Sequence, residues 1–259
     1  MAKSARKSRA KPRSKKSASG SSRSARIKAA LLGRPVGPIE WVKSILVRGV
    51  VGLAVLIVLL VLLFSRVNPP TTHTMWSEGR RLGHVDQEWV PLEQVAPVMA
   101  RSAVAAEDAN FCQHWGFDVA AIRAAIAEGS SRGGSTITQQ VVKNVFLWQG
   151  RSWIRKVFEA MITPMVEAVW SKRRIVEVYL NVAELDEGVF GVKAAARHYF
   201  KVAPDKLSPR QAALLAAVLP SPKARSAAKP SSGVRKRAAQ IADGAATIRA
   251  DGRSACFED

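Results

Sequence analysis

The chain has 259 residues, 47% of them hydrophobic, with a formal net charge of +20; that apolar content supplies a core and excludes wholesale disorder. The charge is mostly a tail: residues 1–48 hold 14 Lys/Arg against one acid, Glu40, so no nucleic-acid partner is read from it. The two cysteines, Cys112 and Cys256, lack the paired spacing of a zinc site or a disulfide framework. A bridge formed in an oxidising compartment and a pair of free thiols are both open.

Residues 1–43 read as a basic, disordered cytoplasmic tail, Lys/Arg/Ser/Ala-rich through residue 30. Its two Ser-x-x-Lys matches, Ser4 to Lys7 and Ser8 to Lys11, are chance in so biased a segment, and no Ser-Asp-Asn or Lys-Thr-Gly follows them. Residues 44–66 read as a membrane anchor. The twenty residues from Ile45 to Phe64 span about 30 Å as a helix, the thickness of the hydrocarbon layer, and Arg48 can snorkel to the headgroups. The run is longer than a signal peptide's apolar region, and no small-residue cleavage site follows it. The basic residues before it, with Trp41 at the interface, place the N-terminus inside and the rest of the chain outside. Residues 67–88 read as a linker, stiffened by Pro69 and Pro70, with no element assigned over 74–90.

Residues 89–222 read as one helical domain. The spacing of Val95, Val98, Met99, Ala103 and Ala106 predicts a buried helix that leaves the core at Glu107 and Asp108. Asp118 N-caps an Ala-rich helix through Ala127. Gly129 to Gly134 form a break, and Ser135 starts a helix to about Leu147. Ser152 caps a long helix through Val169, which Pro164 should kink. Lys172 to Leu180 form another, with Asn181 near its end. Gly188, Gly191 and Ala194–Ala196 suggest a tightly packed short helix. Ser208-Pro209-Arg210-Gln211 is a capping box opening a helix to Val218. Residues 223–259 read as a C-terminal extension whose segment from Val234 to Arg249 is a surface helix. No run of alternating strands and no internal repeat is found.

Three stretches carry chemistry. Glu107 and Asp108 sit at the edge of apolar packing, where desolvation raises a carboxylate's pKa and suits it to proton transfer; a solvated helix end is the plain alternative. In Gly133 to Asn144, helical spacing puts Thr136, Gln140 and Lys143 on one face. The glycines before them leave backbone N–H groups free at a helix N-terminus, a natural anion seat. Arg155 and Glu159 follow at i, i+4 on an apolar helix, the spacing of an intrahelical salt bridge. Val145-Phe146-Leu147-Trp148, followed by Trp153, is either core or an interfacial patch that admits a lipid.

Taken in order, Glu-Asp-x-x-Phe-x-x-His-x-Gly-x-Asp (Glu107 to Asp118), Gly-Gly-Ser-Thr-Ile-Thr-Gln-Gln-x-x-Lys-Asn (Gly133 to Asn144), Arg-Lys-x-x-Glu (Arg155 to Glu159) and Lys-x-x-Ile-x-Glu-x-Tyr-Leu-Asn (Lys172 to Asn181) resemble the peptidoglycan glycosyltransferases. These form the glycosyltransferase half of class A penicillin-binding proteins. The resemblance spans roughly Trp89 to Pro222 and is strongest to the family's monofunctional branch, without a transpeptidase. One departure is Gln211, where many relatives carry an acid; Gln serves the capping box equally well.

The resemblance implies an all-α, lysozyme-like, bilobal domain behind one N-terminal transmembrane helix, with a smaller lobe dipping into the membrane. It implies a single-pass protein of the bacterial inner membrane, with its catalytic domain in the periplasm. The implied activity is polymerisation of lipid II, by inverting transfer of the lipid-linked strand to the 4-hydroxyl of the acceptor sugar, with release of undecaprenyl pyrophosphate. Glu107 would be the general base and Glu159 a second essential acid. Asp108, Thr136, Gln140, Lys143 and Arg155 would bind sugar and pyrophosphate. Phe111, His114, Gly116, Asp118 and Asn181 would be architecture. No cofactor is required; orienting Arg155 and holding a divalent cation (Mg²⁺ or Mn²⁺) are the roles open to Glu159. Expected partners are lipid II, the growing strand, and cell-wall synthesis and division proteins. A lysozyme-like hydrolase would need neither the cations nor the anchor, and a non-enzymatic anchor protein would leave the motifs idle.

Overall fold

The computed structural model describes residues 38–127, 134–150 and 152–258. The basic tail through residue 37, most of the break at Gly129–Gly134, and Gly133 of the second motif lie outside them. Helix α1 spans Pro38–Phe64, starting six residues before the expected anchor (residues 44–66) and ending two short of it, and exposes Ile45, Leu46, Val50 and Leu53. Nearer its end Val61 is buried. There Trp170 Nε1 donates to Val61 O at 2.8 Å, and Arg174 Nη2 donates to the carbonyls of Phe64 (3.0 Å) and Val67 (2.9 Å). The Arg174 bond satisfies the Phe64 carbonyl, which the helix end leaves without an intrahelical partner.

The segment left unassigned contains α2 (His73–Leu82). Thr72 caps it by accepting from Met75 N–H (3.2 Å), and Gly83, at φ 86°, ends it in the left-handed region. Three short strands follow in the chain: β1 (Asp86–Gln87), β2 (Glu184–Asp186) and β3 (Val189–Phe190). They order as β1-β3-β2, parallel and then antiparallel. Strands this short carry no alternating pattern to detect, and the fold remains all-α.

The remaining helices are α3 (Pro97–Glu107), α4 (Val119–Ala127), α5 (Ile137–Phe146), α6 (Trp153–Val169), α7 (Lys172–Val182), α8 (Gly191–Phe200), α9 (Pro209–Val218), α10 (Ser232–Ala250) and the one-turn α11 (Ala255–Glu258). Ser152, Ser171 and Ser208 cap α6, α7 and α9, the last in the expected box with Gln211. Helix α6 runs through Pro164 unbroken. Helix α7 is the centre of the domain, burying Ile175, Val176, Val178, Tyr179 and Leu180 against α3, α5, α8 and α11.

The C-terminal region is not the surface extension that was expected. Helix α10 buries Val234, Ala238, Ile241, Ala245 and Ile248, one helical stripe, against α3 and α9. Phe257, on α11, is buried against Phe111, and Cys256 is bonded to Cys112. The cysteines left open by the sequence are therefore a disulfide, and the core does not stop at residue 222.

Candidate active site

Glu107 is the last residue of α3, where apolar packing gives way to a cleft. Its side chain is 14% exposed. Gln140 Nε2, from α5, donates to Oε2 at 3.0 Å, while Oε1 is buried without a hydrogen-bond partner among the described residues. Burial pushes the carboxyl pKa up; the Gln140 bond and the nearby cations Arg237, Lys143 and Arg225 oppose that shift without cancelling it. The solvated helix end is excluded. Tyr179 O–H reaches Gln140 Oε1 at 3.4 Å, so Gln140 is held on its far side too.

Asp108 has both oxygens committed. Ile137 N–H donates to Oδ2 (3.0 Å) and His114 Nε2 to Oδ1 (2.8 Å). The anion seat expected at the start of α5 is thus filled by the protein's own carboxylate, favoured by the helix dipole. Thr136 is equally occupied. It lies just outside α5 as its N-cap, in a capping box with Gln139, and its hydroxyl donates to Gly116 O at 2.8 Å. Asp108 and Thr136 therefore build the wall behind Glu107 rather than presenting free groups to a ligand.

The architectural residues explain one another. Asp118 caps α4 by accepting from Ala121 N–H (2.8 Å), and that bond, the largest cause, holds its carboxyl below the usual range. Gly116 has φ +82°, and a Cβ there would lie 2.6 Å from Thr163 Cγ2 on α6. Phe111 is fully buried, edge-on to His114 and under the Lys172 ammonium, 4.2 Å from the ring centre. Asn181 acts as a strand would: Val90 N–H donates to its Oδ1 (2.8 Å) and its Nδ2 donates to Val90 O (2.9 Å). The Cβ that Gly191 lacks would meet Asn181 O at 2.8 Å.

The cations form a second group. Arg155 Nη1 donates to Glu159 Oε2 at 2.6 Å, and Lys156 bonds Oε1. Glu159 is 2% exposed with both oxygens covered by cations, an arrangement that does not fit a divalent metal. Its position fits the other role, orienting Arg155. Lys143 has no ion-pair partner among the described residues. Burial lowers its pKa, and the Glu159 carboxylate opposes the loss of its charge. Asp108, His114 and Asp118 offer ligand atoms within 4.8 Å of one another; the two carboxylates are engaged in the bonds above, while His114 bonds Asp108 through Nε2 and leaves Nδ1 buried without a partner among the described residues.

Gln140 lines one of two cavities, and its hydrogen-bond partner Glu107 lines the other. One, of about 390 Å³, is lined by Gln140, Lys143, Asn144, Tyr179, Glu184 and Lys223 among others. The other, of about 260 Å³, is lined by Glu107, Asp108, Asn110, Ser135 and Thr136 among others. The aromatic stretch divides: Leu147 is buried, while Trp153, 77% exposed, begins an apolar outer face of α6 with Ile154, Val157 and Met161. Tyr179, Glu184 and Arg237 were missed by sequence reasoning. Tyr179 lies inside the fourth motif, and Arg237 flanks the buried stripe of α10, which is the signal that could have found it.

A family model described as Transglycosylase matches residues 76–246. A protein of Jannaschia sp. (strain CCS1) named biosynthetic peptidoglycan transglycosylase is 59% identical over 212 residues, covering 82% of this chain and 89% of the relative. Proteins of the same name from Pseudomonas fluorescens (strain SBW25) and Stutzerimonas stutzeri (strain A1501) are 48% and 50% identical. They cover 77% and 73% of this chain, and 87% and 82% of their own lengths.

Proposed function

This chain belongs to the Transglycosylase family, and from that premise we propose that it is a glycosyltransferase that polymerises lipid II in peptidoglycan synthesis, with Glu107 as general base. The observation that carries the reading is the asymmetry of the Glu107 carboxylate: Oε2 is held by Gln140, and Oε1 is buried with its lone pairs unused. An acceptor hydroxyl bonded to Oε1 would be positioned and activated at once.

In the step proposed, the 4-hydroxyl oxygen of the acceptor GlcNAc attacks the anomeric carbon of the lipid-linked strand from the face opposite its pyrophosphate. The new C–O bond forms as the bond to the pyrophosphate oxygen breaks, inverting the anomeric centre. The hydroxyl proton passes to Glu107 Oε1, and undecaprenyl pyrophosphate leaves with the bonding electrons. Such a leaving group calls for cations rather than an acid. Lys143 and Arg155 supply them, Arg155 steadied by Glu159 and by its own Nε bond to Gly150 O (3.0 Å).

The substrate is a lipid, and the chain is suited to meet it in a membrane. Helix α1, 27 residues long, is apolar enough to span a bilayer, and the basic residues before it favour the N-terminus inside. The apolar outer face of α6 suits insertion among headgroups and acyl chains. The disulfide supports an oxidising location for the domain, outside the cytoplasm. Incubation of the detergent-solubilised protein with labelled lipid II tests the reading. Lysozyme-digestible polymer from wild type, reduced about 10²- to 10⁴-fold in Glu107→Gln, is expected. Cleavage of finished glycan without polymer would move the protein to the hydrolases.

A further inference from the structure

Arg237 lies outside all four motifs, on α10, a helix 130 residues along the chain from the site it reaches. Its Nη2 donates to Ala106 O at 3.2 Å and stands 3.7 Å from Glu107 Oε1. Arg237 Nε and Glu107 Oε1 are both buried without hydrogen-bond partners among the described residues. We propose that Arg237 is a positioning residue for the transfer reaction, acting through Glu107 by keeping its carboxylate ionised while Gln140 holds the orientation that leaves Oε1 free for the acceptor hydroxyl. This rests on the reading of Glu107 as general base.

The distance makes the argument. At 3.7 Å the guanidinium is too far to hydrogen-bond Oε1, so it does not occupy the lone pair that must take the proton. It is close enough for its charge to be felt by the largely buried carboxylate, although the Arg237 side chain is itself 39% exposed and partly screened by solvent. A bonded arginine would quench the base, and a distant one would leave a buried carboxylate to take up a proton before substrate arrives. The charged and titratable groups facing Glu107 are Arg237 from α10, Lys143 from α5, Arg225 from the segment before α10, Asp108 beside it and the Tyr179 hydroxyl from α7. Burial favours the neutral acid; after the Gln140 bond, Arg237 is the foremost of the cations working against it. Lys143 is claimed by the pyrophosphate in the mechanism above, which leaves Arg237 to serve the base.

The C-terminal segment fixes Arg237 in place by gripping the chain on both sides of Glu107. A Cβ at Gly244 would lie 3.3 Å from Ala105 Cβ, so α10 and α3 meet closely two residues before Glu107. Beyond Glu107, Arg253 Nη1 donates to Ala109 O at 3.1 Å, and Cys256 is bonded to Cys112. Arg101 and Glu258 pair at 2.5 Å.

The test is the pH–rate profile of lipid II polymerisation by the full chain, for wild type, Arg237→Gln, Arg237→Lys and Glu107→Gln, with each variant's thermal midpoint. Arg237→Gln is expected to lose kcat about tenfold at about pH 6.5 and to recover to within about twofold by pH 9, with KM unchanged. Arg237→Lys, which keeps the charge, should move the acid limb back toward wild type. A loss that is uniform across pH, a loss confined to KM, or identical profiles for the Gln and Lys variants would overturn the proposal while leaving Glu107 as base. Wild-type activity in Glu107→Gln would instead remove the base, and the proposal with it.

Discussion

The Glu107 carboxyl is maintained at a cost to folding. Its pKa is raised in the folded state by burial, so the folded chain binds that proton more tightly than the unfolded chain. The associated stability is fully present below the unfolded pKa and is lost as pH rises through the folded one. Glu107→Gln should therefore have a higher thermal midpoint than wild type near pH 7. The difference should shrink toward zero as pH falls to about 4, where the wild-type acid is protonated. Scanning calorimetry at both pH values checks this; a lower midpoint for the mutant at pH 7 would contradict it. Gly116 makes the opposite case, a residue whose value is the atom it lacks. Gly116→Ala combines a left-handed backbone with a Cβ 2.6 Å from Thr163 Cγ2, and should destabilise by about 2–4 kcal/mol in urea unfolding. Because the Gly116 carbonyl also receives the Thr136 hydroxyl, activity should fall further than stability accounts for.

Among the elements, helix starts were the most legible. Ser152, Ser208 and Asp118 all cap where the sequence places them, because a cap is a local bond between a side chain and the next turn. The helix after Gly134 was placed nearly right, beginning at Ile137 rather than Ser135. What its N-terminus binds was not legible, since the Asp108 carboxylate comes from 29 residues upstream. Strands of two or three residues leave no period to read, and β1 meets β3 through just two pairs, Asp86 with Val189 and Gln87 with Phe190. The Asn181 side chain joins that region by copying a strand's hydrogen bonds to Val90, a role no spacing announces. Asn181→Ala removes those bonds along with the one to Glu177 O (2.8 Å), and leaves the Val90 N–H and C=O buried without partners. A loss of about 2–4 kcal/mol is expected in urea unfolding.

At the scale of the whole molecule, the sequence misleads about where the domain ends, because the four motifs finish at Asn181 while the core continues. The stripe from Val234 to Ile248 was visible as a helix; its burial depended on partners, α3 and α9, that sequence does not pair. The Cys112–Cys256 bridge closes 144 residues of chain. On chain entropy alone it should contribute about 4–5 kcal/mol. Reduction, or Cys256→Ser, should therefore lower the urea midpoint markedly. Arg237 lies within the closed loop, so polymerisation should also decline in the reduced protein before global unfolding begins.

The same bridge imposes an order on biosynthesis. Cys112 leaves the ribosome 144 residues ahead of the only cysteine it can pair with in its own chain, an interval of roughly 7–30 s at ordinary elongation rates of about 5–20 residues per second. Throughout that interval the neighbourhood of Glu107 is incomplete, lacking Arg237, the grip on Ala109 and the bridge itself. The nascent chain thus carries its anchor and all four motifs while it still lacks a finished catalyst. Two neighbouring nascent chains would each expose an unpaired Cys112, with no internal competitor to prevent a cross-link between them. Synthesis of α11, which carries Cys256, resolves both conditions together, so this short helix is the segment that commissions the enzyme.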